Sequence, residues 1–407
     1  MFAASIKCRN CGREYILDEI YLCPACGGLT EIQYHEKDLL NKHNFIEPDT
    51  SFCGMWKYRK MLPVQLRENI VSLGEGDTPL IRAERAEKDY NIDCSLYVKA
   101  EMLNPSGSFK DRPSSVGVSI AKEHGHKTVI VASTGNAAAA VSCYAAHAGM
   151  KCIVLIPADT DPGKVAQAQV YGANIYGVHG NFSNAFNISR EISDNYGVPN
   201  ITSTFYNPYT VEGDKTIAYE LFSQLHSVPD YIVIPIGTGP LLVGIYKGYS
   251  ELFRMGLINH LPKMIGVQSE NCMPIVSAFN NALDHVSCWN KNTYTIAGGI
   301  ADSLVGYEQD GELTLGTVRS SLGYMVSVSE QEIMKATNTF EQKEGLYCEP
   351  TGAVTLAGFK KLYDKGYITK GSSAVLLLTG HGFKFTARSR KKISDYHDFN
   401  SIRQLLV

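Results

Sequence analysis

Residues 104–112 read NPSGSFKDR and place a lysine, Lys110, in a turn of small residues. The turn comes just after a strand-like run, SLYVKA over residues 95–100. A lysine becomes a nucleophile when its surroundings favour the neutral amine, and burial does so because it disfavours the ammonium. The apolar neighbour Phe109 is compatible with burial, although a lone lysine in a loop is ordinarily a solvated surface group. Two further segments favour the interpretation of Lys110 as a reactive amine.

The first is residues 127–138, KTVIVASTGNAA, a β-branched run that breaks at Ser-Thr-Gly-Asn and continues into alanines. It predicts a strand, a turn and a helix. Backbone N–H groups and short hydroxyls at such a turn point to whatever lies above the helix N-terminus, where the helix dipole favours an anion such as a carboxylate. An ordinary capped connection between a strand and a helix would fit the same pattern.

The second segment, residues 230–244, reads DYIVIPIGTGPLLVG and predicts a buried strand, a glycine loop and a helix. Glycines in such a loop let backbone amides approach a phosphate closely. A glycine-rich loop alone is weak evidence, because many plain turns look the same. This glycine loop is more significant here because it follows the Lys110 turn and the Ser133-Thr134 turn along the chain.

Together with residues 376–384, LLLTGHGFK, these segments resemble the threonine synthase branch of the fold type II pyridoxal-phosphate (PLP) enzymes. The resemblance begins at residues 73–80, LGEGDTPL, and covers most of the chain. Several motifs in the same order argue against a chance match. The further motifs are Gly180-Asn181-Phe182, Asn207-Pro208-Tyr209, Glu212-Gly213 with Lys215-Thr216, and Glu349-Pro350-Thr351.

The resemblance implies PLP as the cofactor and a role for each motif. Lys110 matches the family lysine that holds the cofactor and later moves protons. Thr379 matches the hydroxyl residue that faces the pyridine nitrogen, and a neutral hydroxyl there leaves that nitrogen largely unprotonated. The resemblance also implies Asn136 beside the cofactor 3′-oxygen, Ser133 and Thr134 on the substrate carboxylate, and a phosphate loop made of Gly237, Thr238, Gly239, Leu241 and Leu242.

Three positions depart from what the resemblance leads us to expect of an enzyme acting on O-phosphohomoserine. Thr210 stands where that branch usually has an arginine, and threonine offers one neutral hydroxyl in place of a bidentate cationic fork. Pro113-Ser114 stand where Gly-Met is usual, and Pro240 removes one potential amide donor from the cofactor loop. Arg112, Lys215 or another cation could serve the substrate instead. Thr210 and Lys215 are therefore candidate substrate-binding residues.

The leading hypothesis is a PLP-dependent lyase of the threonine synthase type, which converts O-phosphohomoserine and water to threonine and phosphate. If Thr210 signals another substrate, two alternatives arise: β-replacement on a phosphoserine-like or acetylserine-like amino acid, and ammonia-lyase chemistry on serine or threonine. A non-catalytic regulatory paralogue is an alternative of another class, because fold alone does not establish function. The presence of Lys110, Asn136 and Thr379 argues against that last alternative.

Strands that alternate with helices predict an α/β protein with a parallel sheet covered on both faces. The resemblance implies two doubly wound lobes with parallel or mixed sheets, and the cofactor between them at the carboxyl ends of the strands. A polar linker and arm is expected between the N-terminal module and the Gly-Glu-Gly turn at 74–76. The expected domains are a zinc-ribbon-like module at 1–35, a large PLP-binding lobe at 36–112 and 206–395, a small lobe at 113–205, and a C-terminal tail at 396–407.

Four of the 11 cysteines form two pairs, Cys8-x-x-Cys11 and Cys23-x-x-Cys26. Four thiolates at this spacing can close a tetrahedral structural zinc site, and a module too short for its own core can be folded by the metal. A disulfide interpretation suits a secreted chain, and we expect no export signal here. We expect structural zinc here, and many proteins that resemble threonine synthase begin with such a ribbon.

Composition excludes several other classes of protein. Hydrophobic residues make up 44% of the chain and charged residues 19%, which fits a folded globular protein of 407 residues. A net charge of −3 without long charge runs gives no basis for nucleic-acid binding. No apolar segment reaches the roughly 20 residues needed to cross a membrane. We expect a cytoplasmic protein with a small amino-acid substrate, and the resemblance implies a homodimer.

Overall fold

The computed structural model describes residues 3–39, 45, 48–291 and 293–385. The predicted tail at 396–407 lies outside the described residues. The strands are β1 Ala3–Cys8, β2 Glu14–Ile16, β3 Thr30–Tyr34, β4 Leu80–Arg82, β5 Ser95–Lys99, β6 Thr128–Ala132, β7 Lys151–Pro157, β8 Asn174–Val178, β9 Tyr231–Pro235, β10 Lys263–Ser269, β11 Tyr324–Val328 and β12 Ser373–Leu377.

The described helices are α1 Glu36–Leu39, α2 Glu84–Tyr90, α3 Asp111–Glu123, α4 Asn136–His147, α5 Pro162–Val170, α6 Phe182–Tyr196, α7 Pro208–Asp214, α8 Thr216–Leu225, α9 Pro240–Arg254, α10 Pro274–Asn280, α11 Glu308–Ser320, α12 Glu330–Lys343 and α13 Pro350–Asp364. Short 3-10 turns lie at Gly54–Met61, Arg67–Asn69, Glu101–Leu103, Gly298–Ile300 and Gly382–Lys384. None of the described helices has both the length and the apolar character needed to span a bilayer.

These strands form three sheets, which confirm the predicted mixed α/β class. The N-terminal sheet is antiparallel, in the order β2-β1-β3. A second sheet, β6-β7-β8, is parallel throughout. The largest has six strands in the order β11-β10-β9-β12-β5-β4, and its strands run parallel except at the edge, where β4 pairs antiparallel with β5. The domain boundaries stay predictions.

The central strand β9 shows why the large sheet is covered on both faces. Its five residues, YIVIP, are all buried. Ile232 and Ile234 belong to the core shared with α8 and α9, whereas Tyr231 and Val233 belong to the core shared with α13. Successive side chains of a strand point to opposite faces, so a continuous apolar run suits a strand with helices on both sides.

The region before residue 74, expected to be a polar linker and arm, is largely packed where the structure describes it. Trp56 is fully buried, and its indole N–H contacts Glu75 Oε1 and Ser115 Oγ, each at 2.8 Å. Met55 and Met61 are buried as well. Met55 and Trp56 share a hydrophobic core with α3, which begins about 50 residues later in the chain.

The candidate site lies where four strands end. The Lys110 turn follows β5, Ser133 follows β6, the 237–239 loop follows β9, and Thr379 follows β12. Ligands in α/β proteins bind outside the carboxyl ends of parallel strands. The fold therefore brings together segments that are separated by more than 250 residues of sequence.

Candidate active site

Lys110 immediately precedes α3 and is tied to the end of β12. The backbone N–H of Phe109 donates to the Thr379 carbonyl oxygen at 3.0 Å. The Lys110 amine donates to Ser203 Oγ, and its Nζ lies 4.3 Å from the centroid of the Phe109 ring. The predicted turn thus delivers the amine to the edge of the sheet, beside an aromatic face.

The surroundings of Lys110 favour an amine that can change its charge. Burial lowers the pKa of Lys110 to about 8, and the carboxylates of Asp214 and Asp302 oppose that shift. General acid–base groups work best when their pKa lies near the operating pH. Asp302 is held in place, because its Oδ1 accepts hydrogen bonds from the Tyr307 hydroxyl at 2.7 Å and from the Leu304 N–H at 2.9 Å.

The Ser-Thr-Gly-Asn turn links β6 to α4, as predicted. Ser133 Oγ accepts a hydrogen bond from the Gly135 N–H at 3.2 Å, and both Ser133 and Thr134 are half-buried. Asn136 is the first residue of α4, and its Nδ2 donates to Glu349 Oε2 at 2.9 Å. Burial raises the pKa of the Glu349 carboxyl, against the effect of that hydrogen bond. The turn therefore presents hydroxyls and an anchored amide at a helix N-terminus, where an anion is favoured.

The 237–239 loop connects β9 to the 15-residue helix α9. Gly239 has a φ of +110°, which glycine adopts at little cost. Pro240 takes the first helical position, where a missing N–H removes no intrahelical bond. Leu241 and Leu242 continue the first turn and are buried. Because the first N–H groups of a helix have no intrahelical acceptors, this loop and turn can bind a phosphate.

Thr379 is buried, with 2% of its surface exposed, and its hydroxyl has no hydrogen-bond partner in the described part of the chain. A buried hydroxyl costs free energy unless it is hydrogen-bonded. The side chain thus suits a position opposite an acceptor nitrogen of a bound ring.

The PLP implied by the sequence resemblance fits these residues. Lys110 would supply an amine for its aldehyde, Asn136 an amide for its 3′-oxygen, and Thr379 an unpartnered hydroxyl for its ring nitrogen. The N-terminus of α9, behind the 237–239 loop, would supply backbone amides for its phosphate. A Cβ added to Gly380, next to Thr379, would lie 3.0 Å from Asn136 Nδ2, so these segments meet although they follow strands of different sheets.

Two of the candidate substrate-binding residues are engaged elsewhere. The Thr210 hydroxyl is buried and donates to the Asn207 carbonyl oxygen at 2.9 Å. The Lys215 amine is fully buried and pairs with Glu212 Oε2 at 2.7 Å and Glu251 Oε1 at 3.1 Å. Substrate binding by Thr210 and Lys215 stays a prediction, and it would require these contacts to be exchanged.

Arg112, the other cation considered for the substrate, also has its hydrogen-bond partners within the protein. It is fully buried, and its five N–H donors are matched by five contacts within the protein. Those contacts are Nε to Glu101 Oε2 at 2.8 Å, one terminal nitrogen to Thr216 at 2.9 Å and Glu220 at 2.6 Å, and the other to Glu101 at 2.7 Å and Glu220 at 2.8 Å. This network fixes the first turn of α3 behind Lys110.

The four N-terminal cysteines converge, and their ligand atoms lie within 4.8 Å of one another. Cys8 and Cys26 are separated by 3.5 Å between sulfurs, and Cys11 and Cys23 by 3.6 Å. All four are free thiols. Zinc–sulfur bonds of about 2.3 Å in a tetrahedron place the sulfurs about 3.8 Å apart, so the cluster is close to zinc-binding geometry.

Three residues around Lys110 belong to none of the motifs quoted above: Ser203, Asp214 and Asp302. Glu349 belongs to a quoted motif, but its contact with Asn136 spans 213 positions of sequence. Such convergence arises from the packing of the sheets, which periodicity and spacing do not encode.

Comparisons with known proteins agree with the geometry. Residues 71–380 match the family described as pyridoxal-phosphate dependent enzyme. The chain is 38% identical over 406 residues to the threonine synthase of Methanocaldococcus jannaschii, with 98% of each chain covered. It is 39% identical over 382 residues to the threonine synthase of Methanosarcina acetivorans, covering 93% of this chain and 92% of that protein. The solved structure of maize serine racemase, at 21% identity, gives a TM-score of 0.64 over 81% of this chain and 91% of that one, a likeness of fold.

Proposed function

We propose that this chain, which belongs to the pyridoxal-phosphate-dependent enzyme family, is a lyase of the threonine synthase type that converts O-phosphohomoserine and water to threonine and phosphate. The observation that carries the proposal is that Lys110, Asn136, Thr379 and the 237–239 loop each follow the carboxyl end of a parallel strand. Phe109 is hydrogen-bonded to Thr379, and Asn136 lies next to Gly380. Identity to threonine synthases over nearly the whole chain supports this reaction type rather than another of the same fold.

PLP, when bound, supplies an electron sink for negative charge that develops on an amino-acid substrate. Lys110 would hold the cofactor, and its amine would carry a proton away from the substrate α carbon and return protons later in the reaction. Because burial brings the pKa of Lys110 to about 8, both the charged and the neutral amine are accessible near neutral pH.

The substrate is oriented by the turn before α4. Ser133, Thr134 and the backbone N–H groups that follow bind the substrate carboxylate, because the helix N-terminus favours an anion. Asn136 lies at the same turn and is held by Glu349. This arrangement fixes the α carbon near Lys110 while the side chain of the substrate carries the leaving group.

The test is phosphate release from O-phosphohomoserine by the PLP-loaded chain, with the amino-acid product identified by mass. We expect phosphate and threonine in equal amounts, and no turnover for Lys110→Ala. An exposed lysine at the end of α13, Lys365, offers the matched control Lys365→Ala, which should leave turnover unchanged. Phosphate release without threonine would overturn the proposed reaction. Turnover confined to phosphoserine, acetylserine, serine or threonine would overturn the proposed substrate.

We further propose that Cys8, Cys11, Cys23 and Cys26 bind one structural zinc ion. With four protein ligands no position stays open for catalysis, so the metal would stabilise the N-terminal sheet. Metal analysis of the purified chain should give one zinc per chain, and Cys11→Ser should lower that content. Cys53→Ser removes another exposed thiol and should leave it unchanged. Equal zinc content in both variants would contradict the assignment.

The homodimeric assembly and the cytoplasmic location stay predictions. Size-exclusion chromatography with light scattering, on the PLP-loaded chain, would test the assembly.

A further inference from the structure

Asp214, the last residue of α7, is a buried carboxyl group without an obvious partner. None of its surface is exposed, and neither carboxylate oxygen has a hydrogen-bond partner in the described part of the chain. A buried carboxylate is costly unless it is paired. A nearby cation is therefore needed if this group is to be ionised.

The backbone places Asp214 between two helices of the candidate site. Its neighbour Gly213 packs so closely on α3 that an added Cβ would lie 2.6 Å from the carbonyl carbon of Arg112. On the other side, a Cβ added to Gly244 of α9 would lie 2.7 Å from the Asp214 Cβ. One of these helices follows Lys110 directly, and the other follows the phosphate loop.

Three charged groups face Asp214: Lys110, Arg112 and Glu101. Glu101 repels it, and the five N–H donors of Arg112 are already used by Glu101, Glu220 and Thr216. The Lys110 amine, in contrast, contacts a neutral hydroxyl and is the cation left to balance Asp214.

The other carboxylate that faces Lys110 is in a different state. Asp302 accepts two hydrogen bonds, from Leu304 and Tyr307, and is fixed as an acceptor. Asp214 has no such constraint and can gain or lose a proton without breaking a hydrogen bond of the described structure.

We propose that Asp214 is a positioning residue that acts through Lys110: its carboxylate balances the charge of the Lys110 ammonium in the protein interior. As the pH rises, the ammonium releases its proton to solvent while the carboxylate stays ionised, so Asp214 sets the pH at which the neutral amine forms. Removing Asp214 leaves the amine easier to deprotonate, because an anion that favours the ammonium is gone. Burial raises the pKa of Asp214 to about 7, below the value of about 8 for Lys110, so the carboxylate is ionised before the amine loses its proton.

This inference rests on the proposed role of Lys110, and its test uses the cofactor-free chain so that the two can fail separately. The measurement is the rate of acylation of Lys110 as a function of pH, followed by peptide mass spectrometry. Asp214→Asn, which keeps the shape and removes the charge, should lower the pH of half-maximal reactivity by on the order of one unit. Asp214→Ser also removes the charge, with a smaller side chain. It replaces Asp214→Asn in the test if the asparagine variant does not fold.

Asp310→Asn is the matched control. Asp310 is also buried, burial also raises its pKa to about 7, and its Oδ2 accepts a hydrogen bond from the Phe205 N–H at 3.1 Å. The charges that face it are Asp302 and Arg190, so this variant should leave the Lys110 profile unchanged. A wild-type midpoint in both Asp214 variants, or an equal shift in Asp310→Asn, would overturn the proposal. Loss of turnover without a shifted midpoint would also count against it.

Discussion

Replacing Gly239 with alanine should damage the phosphate loop, and the size of the effect follows from the local geometry. Gly239 has a φ of +110°, and a left-handed backbone costs a non-glycine residue roughly 1–2 kcal/mol. The added Cβ would also overlap Thr314 Oγ1 and lie 2.5 Å from its Cγ2. Thr314 cannot turn away freely, because its hydroxyl donates to the Thr238 carbonyl oxygen at 2.6 Å. Overpacking of this kind costs about 1–3 kcal/mol.

Urea unfolding of the cofactor-free chain should therefore show Gly239→Ala to be destabilised by about 2–5 kcal/mol. If the loop moves to relieve the overlap, its backbone amides move away from the cofactor phosphate. Loss of one hydrogen bond to a charged group costs about 1.5–3 kcal/mol, so PLP affinity should fall by roughly ten- to a hundredfold. Gly316→Ala, on α11, is the control. A Cβ there meets no atom within 4 Å, and alanine should stabilise the helix by roughly 0.5–1 kcal/mol. Wild-type stability and PLP affinity in Gly239→Ala would refute the account of this loop.

Two further predictions concern buried charges. Arg112→Met should destabilise the chain by about 3–5 kcal/mol in urea unfolding, because Glu101 and Glu220 would lose their buried partner; an effect below about 1 kcal/mol would contradict a structural role for this network. Asp310→Asn should gain stability over wild type as pH rises, since burial raises the pKa of Asp310 to about 7 and the unfolded chain loses that proton near pH 4. The difference should grow between pH 4 and pH 7 to about 4 kcal/mol and then level off, whereas a difference independent of pH would contradict the raised pKa.

The strands and turns of the candidate site were predictable because each is decided locally. The β-branched run before Ser133 and the apolar run before Gly237 end at residues that favour turns, and both helices begin where expected. Lys110 could be singled out because small residues surround it in sequence. The N-terminal cysteines could be singled out by spacing alone.

The residues that complete the site were not predictable in this way, because they depend on packing between distant segments. Ser203 meets Lys110 across 93 positions of sequence, and Glu349 meets Asn136 across 213. The same cause explains why Lys215, which was predicted to be available to the substrate, is paired with carboxylates in the structure. Its partners include Glu251 on α9, a contact that only the folded chain creates.

The residue that binds the cofactor can be identified by chemical trapping. The PLP-loaded chain would be treated with borohydride, which fixes the cofactor to the nitrogen that holds it, and then digested and analysed by mass spectrometry. We expect one cofactor per chain, on the peptide that contains Lys110, and none in Lys110→Ala. Cofactor on another lysine, or equal labelling in the two chains, would show that Lys110 is not the residue that holds PLP.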